Sequence, residues 1–202
     1  MNPIEFHRLF LAISVPGDVR GRLRQWQLEL QGLLRSCAVH WTKPEQFHLT
    51  LKFLGSVPVA DTGALRQAVK AVCRAAPAMR LRAEGGGCFP PSGLPRVLWV
   101  EIKTMDGLLI EFQRQLEFSV QRFAEKRETK KFTAHVTLAR FERLPGPAVQ
   151  RLTAAMAVGR TFGQWTATEV QLVKSSLMPA GPAYAIIDTL RTKNDESGET
   201  FL

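Results

Sequence analysis

The sequence predicts an α+β fold of two similar lobes, on three observations. Segments of helical and of strand periodicity alternate along the 202 residues, with no linker long or polar enough to separate independent domains. The order strand–helix–strand–helix–strand–strand in the first half is echoed in the second. A short motif, His-x-Thr-x, occurs once in each half, at FHLTLKFLG (47–55) and FTAHVTLAR (132–140), its histidines 87 residues apart.

HRLFLAISV (7–15) is rich in branched and aromatic residues and stops at Pro16-Gly17, so it reads as a strand. DVRGRLRQWQLELQGLLRS (18–36) places Leu23, Trp26, Leu30 and Leu33 or Leu34 at helical spacing, with Asp18 as its expected N-cap. Residues 38–55 hold an extended segment, a turn around Lys43-Pro44-Glu45, and the first motif strand. DTGALRQAVKAVCRAA (61–76) is an amphipathic helix closed by Pro77, and 79–103 reads as strand, Gly/Pro loop, strand. In the second half, 107–126 is helical by period, 132–142 is the second motif strand and 147–157 a short helix. Two final strands, WTATEVQLVKSSL and PAYAIIDTL, flank the turn at 179–182. The expected organisation is one bilobed domain over 1–191 and a polar, frayed tail over 192–202.

Bulk composition narrows the class. With 45% hydrophobic residues the chain can bury a substantial core. A formal charge of +9 favours polyanionic partners, although a basic balance by itself also serves solubility. Cys37, Cys73 and Cys88 are odd in number and far apart, which suggests neither a disulfide framework nor a zinc site, only inert thiols in a reducing compartment. The N-terminal segment has too short an apolar core for a signal peptide, and no stretch approaches 18 apolar residues. A cytoplasmic, soluble monomer is expected.

Alternate side chains of a strand share a face, so His48, Thr50 and Lys52 are expected on one side and Leu49, Leu51 and Phe53 on the other. In the second copy His135, Thr137 and Ala139 share a face, opposite Val136, Leu138 and Arg140. Successive same-face positions lie ~6.5–7 Å apart, so an imidazole and a hydroxyl can reach different atoms of one phosphate-sized group. Side by side in a sheet, the two strands would place two His and two Thr around one concave spot. Histidine titrates near neutrality, so one ring can serve as base to an attacking water while the other, protonated, serves as acid to a departing oxygen. Threonine hydroxyls and nearby cations would hold the non-bridging oxygens. A single His-x-Thr in a strand is common and usually means nothing; two copies in corresponding places are what carry the reading.

Other features are weaker. His7 and His40 have no echo and read as ordinary strand or loop residues. The motif strands place no carboxylate beside either histidine, which argues against a metal. Gly85-Gly86-Gly87 lacks a phosphate-loop pattern and reads as a turn or bulge. Arg122, Lys126, Arg127, Lys130 and Lys131 form a basic cluster that is a solvated helix end or, so close to the second motif, a means of steering an anion.

The segments WTKPEQFHLTLKFLG and HVTLAR, with CFPPSGLPRVLWVEI between them and VQLVKSSLMPAGPAYAII at the close, resemble the 2H phosphoesterases over about residues 8–190. The branch they are most similar to is the RNA 2′,3′-cyclic phosphodiesterases, once called 2′-5′ RNA ligases. The resemblance implies a bilobed α+β fold with antiparallel sheets lining a central cleft about a pseudo-twofold axis. It implies hydrolysis of a terminal 2′,3′-cyclic phosphate on RNA to a 2′-phosphate, with His48 as proton donor to O3′ and His135 as the acceptor that activates water. Thr50 and Thr137 would bind phosphate oxygens, and Arg140, five residues after His135, would join them, which requires a bulge to bring it round. Ala134 stands where relatives often have proline. No cofactor or metal is implied, and RNA joining would be the reverse reaction. The alternatives are a module that binds RNA or nucleotide without turnover and a phosphodiesterase for small cyclic nucleotides. Phe47, Trp41 and Phe132 are aromatic candidates for base stacking that serve equally well as core.

Overall fold

A computed structural model describes residues 4–126, 131–179 and 181–193. The chain runs β1 (Phe6–Ser14), α1 (Gly17–Leu33), β2 (Val39–Trp41), β3 (His48–Pro58), α2 (Thr62–Ala75), β4 (Met79–Phe89) and β5 (Val97–Thr104). It continues through α3 (Leu108–Val120), β6 (His135–Phe141), α4 (Gly146–Ala157), β7 (Thr161–Ala167), β8 (Glu169–Met178) and β9 (Gly181–Arg191). All named pairings are antiparallel, in the order β7-β4-β5-β6-β3-β1-β8-β9, with β2 on β6. Read from either end, the order has one centre, the junction of β6 and β3. About it β5 corresponds to β1, β4 to β8 and β7 to β9.

The two lobes are therefore not the two halves of the chain. β4, from the first half, lies in the β6 lobe, and β8 and β9, from the second, lie in the β3 lobe. Helices cross over in the same way: α1 and α4 pack on β7 and β4, while α2 and α3 pack together beside β3, β8 and β9. Each helix presents one apolar stripe to its sheet, as the 3.6-residue period requires. On α1 the stripe is Val19, Leu23, Trp26 and Leu30; on α2 it is Leu65, Val69, Val72 and Cys73. The core so formed takes in Leu9, Leu11, Leu49, Leu81, Val100 and Val136, all fully buried. Each such side chain contributes about 1.5–3 kcal/mol.

Some expectations shift. Pro16, in extended backbone, precedes α1, and Asp18 lies in the first turn rather than capping it. Residues 161–167 form a separate strand, β7, on the outer edge of the sheet. The Gly triplet is inside β4, where the ladder to β5 slips between Glu84 and Gly87. A Cβ on Gly87 would fall 2.4 Å from the Trp99 ring, so only glycine lets the indole lie there. Thr192 and Lys193 are still tied in, their amides donating to Thr168 O and Ala76 O; the rest of the expected tail lies outside the described residues. Among the described residues no helix is long and apolar enough to cross a membrane.

Candidate active site

The central junction is where the two motifs meet. β3 and β6 pair at Leu49 and Val136, both fully buried on the helix side. Extending that antiparallel register by one residue each way sets His48 across from Thr137 and Thr50 across from His135. Because all four are one residue removed from the buried pair, they share the opposite, open face. Two strands therefore gather the predicted quartet about the pseudo-twofold axis, each histidine facing the other strand's threonine.

Both imidazoles are held alike. His48 Nδ1 lies 2.6 Å from Gln46 O and His135 Nδ1 lies 2.7 Å from Thr133 O. A carbonyl only accepts, so Nδ1 carries the proton in each ring and Nε2 is left free for chemistry. Aromatic rings fix the planes. Phe10 and Tyr184 flank His48 at 5.0 and 5.5 Å between centroids, and Phe89 and Trp99 flank His135 at 5.1 and 6.0 Å. Burial among them lowers both histidine pKa values, against the raising effect of the carbonyl bond. His135 lowers His48 further by charge, and Arg140 does the same to His135.

Simple alternation fails after each threonine, for one reason in both strands. The β1–β3 ladder skips Leu51 and the β5–β6 ladder skips Leu138, so each strand carries a one-residue bulge three positions after its histidine. Downstream parity is inverted. Lys52, expected beside His48, turns inward, only 5% exposed, with Nζ 2.6 Å from Glu117 Oε1 on α3. Phe53, expected in the core, is 58% exposed on the open face, across from Phe10. Arg140 comes round to the face of His135 and Thr137, as the family resemblance required and strict alternation denied. Phe53 and Arg140 are equivalents, each five residues after its histidine. Each bulge is also clamped alike: Gln113 Nε2 of α3 donates to Leu51 O at 3.2 Å, and Gln27 Nε2 of α1 donates to Leu138 O at 3.0 Å.

A cavity of about 680 Å³ opens to one side of the quartet. Of the five predicted site residues only Thr50 and His135 line it; Phe53, Phe89, Phe132, Arg96 and Lys131 form other parts of its wall. Phe132 is thus a cleft residue, whereas Phe47 is buried and Trp41 packs against the core. Of the basic cluster, Lys131 reaches the cavity, while Arg127 and Lys130 lie outside the described residues. His40, unremarkable in sequence, is the register partner of Arg140 in the β2–β6 pair. Phe89, Trp99 and Tyr184 lie in segments that carry the family resemblance, but neither they nor Phe10 stood out as site residues, since they come from strands remote from either motif. Cys73 and Cys88 are pushed up by burial, to about 12 and about 11, which leaves them unreactive thiols.

Paired His-x-Thr strands about a pseudo-twofold axis, in a bilobed α+β fold, define a phosphoesterase of the two-histidine class. The chain belongs to the LigT-like phosphoesterase family, whose pattern it matches over residues 13–99 and 102–184. It is 30% identical over 177 residues to the RNA 2′,3′-cyclic phosphodiesterase of Archaeoglobus fulgidus, covering 88% of this chain and 96% of that protein. The protein of the same name from Thermus thermophilus is 28% identical over 198 residues, 95% of this chain and 93% of that one. Among solved structures, a Thermus thermophilus protein superposes with a TM-score of 0.74 at 28% identity, over 93% of this chain and 99% of that one. Escherichia coli LigT complexed with 3′-AMP shares the fold with a TM-score of 0.72 at 22% identity, over 93% of this chain and 99% of that one.

Proposed function

We propose that this enzyme hydrolyses the 2′,3′-cyclic phosphate at the end of an RNA to a 2′-phosphomonoester, without a metal ion. The observation that carries the reading is the face shared by His48, Thr50, His135 and Thr137, with both imidazoles tethered through Nδ1 to a carbonyl. Relatives named RNA 2′,3′-cyclic phosphodiesterase, matching over most of the chain, support it.

Water attacks phosphorus and gives its proton to His135 Nε2. The P–O3′ bond breaks, and O3′ takes its proton from His48 Nε2, leaving a 3′-hydroxyl and a 2′-phosphate. Thr50, Thr137 and Arg140 hold the non-bridging oxygens as charge develops on them. The same pair run backward on a 5′-hydroxyl would join RNA ends, but water at ~55 M keeps hydrolysis dominant.

The test is product analysis on a short RNA ending in 2′,3′-cyclic phosphate, with EDTA present. A 2′-phosphate product is expected, with His48→Ala and His135→Ala each lowering kcat at least about 10²–10⁴-fold. A 3′-phosphate product would reverse which oxygen is protonated. Tight RNA binding without turnover would make the protein a binding module.

A further inference from the structure

The face that holds the quartet is nearly symmetric, but a cyclic phosphate at an RNA end is not: a nucleoside and a chain lie on one side of it. The cavity supplies the matching asymmetry. It meets the reacting centre only at Thr50 and His135, which the register sets across from one another, and none of His48, Thr137 or Arg140 lines it. At about 680 Å³ it sits within the ~300–1,000 Å³ range of small-ligand sites, far more room than a phosphate needs. Phe53, Phe89 and Phe132 give it flat apolar walls suited to a base of any identity.

Its charges are not those of an apolar pocket. Lys52 and Glu117 also line it, yet they neutralise each other at 2.6 Å. Two exposed cations remain on the wall, Arg96 and Lys131, and neither meets a carboxylate among the described residues. Arg96 is held in place on both sides: its amide donates to Phe89 O at 2.7 Å, and its carbonyl accepts from Phe141 N at 2.8 Å. One Nη donates to Glu142 O at 2.6 Å, and the other donors of the fork are left over. A second anion, apart from the reacting phosphate, is what such a pair fits.

We propose that the cavity seats the terminal nucleoside and that Lys131 and Arg96 hold the phosphate on its 5′ oxygen. In RNA that group is the phosphodiester to the preceding nucleotide; a free cyclic mononucleotide with a 5′-hydroxyl lacks it. The enzyme so built prefers RNA ends to small cyclic nucleotides and reads the chain by its backbone rather than its base. This rests on the cyclic-phosphodiesterase reading above.

The decisive pair of substrates is adenosine 2′,3′-cyclic phosphate with and without a 5′-phosphate, which differ by that one anion. The 5′-phosphate is expected to raise kcat/KM about three- to tenfold at low salt, the size of one or two partly screened charge-assisted hydrogen bonds. In the Lys131→Ala/Arg96→Ala double variant the ratio of the two substrates should fall to about one, and in Lys131→Arg it should persist. Turnover of both substrates at equal kcat/KM by the unaltered protein would overturn the inference while leaving the activity standing. So would a ratio that survives the double variant. Hydrolysis of neither substrate would overturn the activity itself and the inference with it.

Discussion

His48 and His135 are each held by one hydrogen bond to the carbonyl two residues earlier, so their chemistry is set by short loops ending at the first residue of a strand. Their depressed pKa values give two linked expectations. In the proposed mechanism turnover needs one ring neutral and the other protonated, and kcat/KM reports the free enzyme. With both values below the ordinary 6.5, the kcat/KM optimum should fall on the acid side of 6.5; an optimum above pH 7 would contradict the depression of the two histidines by burial. For stability, the unfolded chain binds protons more readily than the folded one between the depressed values and 6.5. The histidine contribution is therefore complete above about 6.5 and is lost as pH falls through that window. The urea midpoint should drop between pH 7 and pH 5, and less steeply in His48→Gln; an unchanged slope in that variant would assign the loss to other groups.

Among elements, the two bulges decide which side chains meet the cleft. Each adds one buried leucine after the threonine, and each leucine carbonyl takes a glutamine amide from the equivalent helix, α3 for Leu51 and α1 for Leu138. Gln27 is fully buried and satisfied throughout: it also donates to Thr42 O at 2.8 Å and accepts from Arg24 Nη1 at 2.7 Å. Gln27→Leu should cost about 1–3 kcal/mol, the effect of stranding buried partners. Because the clamp holds the bulge that presents Arg140, KM for the cyclic phosphate should rise as well, even under conditions where the variant is fully folded. Gln27→Leu with lowered urea stability and unchanged kinetics would reduce the clamp to a packing element. Only the second bulge left a trace in the sequence: Leu138-Ala139 breaks the alternation, whereas Leu51-Lys52-Phe53 continues it. A lysine in one copy, though, gives no hint that it will be buried against a carboxylate 65 residues away.

At the scale of the whole molecule, the +9 charge and the exposed cations near the cleft should draw RNA in at long range. Raising NaCl from about 50 to about 300 mM should lower kcat/KM for an oligonucleotide end more steeply than for a cyclic mononucleotide. The slope for single strands is about 0.7 per phosphate contacted. Parallel slopes for the two would show that the charge serves solubility and not RNA capture.

The two histidines and two threonines were legible because their spacing is local: a period of two puts them on one face, and the repeat makes the pair stand out. The four helices and most strands were legible for the same reason, each being set by its own apolar period. The residues that complete the site were not. Phe10, Phe89, Trp99 and Tyr184 reach the histidines only because β1, β4, β5 and β9 are brought alongside by a sheet whose order interleaves the two halves of the chain. Arg140 and Phe53 needed a bulge, and a bulge is a property of two paired strands rather than of either alone. Sequence by itself determined the candidate reactive groups and the class of fold, since side-chain periodicity is written residue by residue. Tertiary structure decided which face each group meets and where the cavity opens, because register between strands exists only once they are paired.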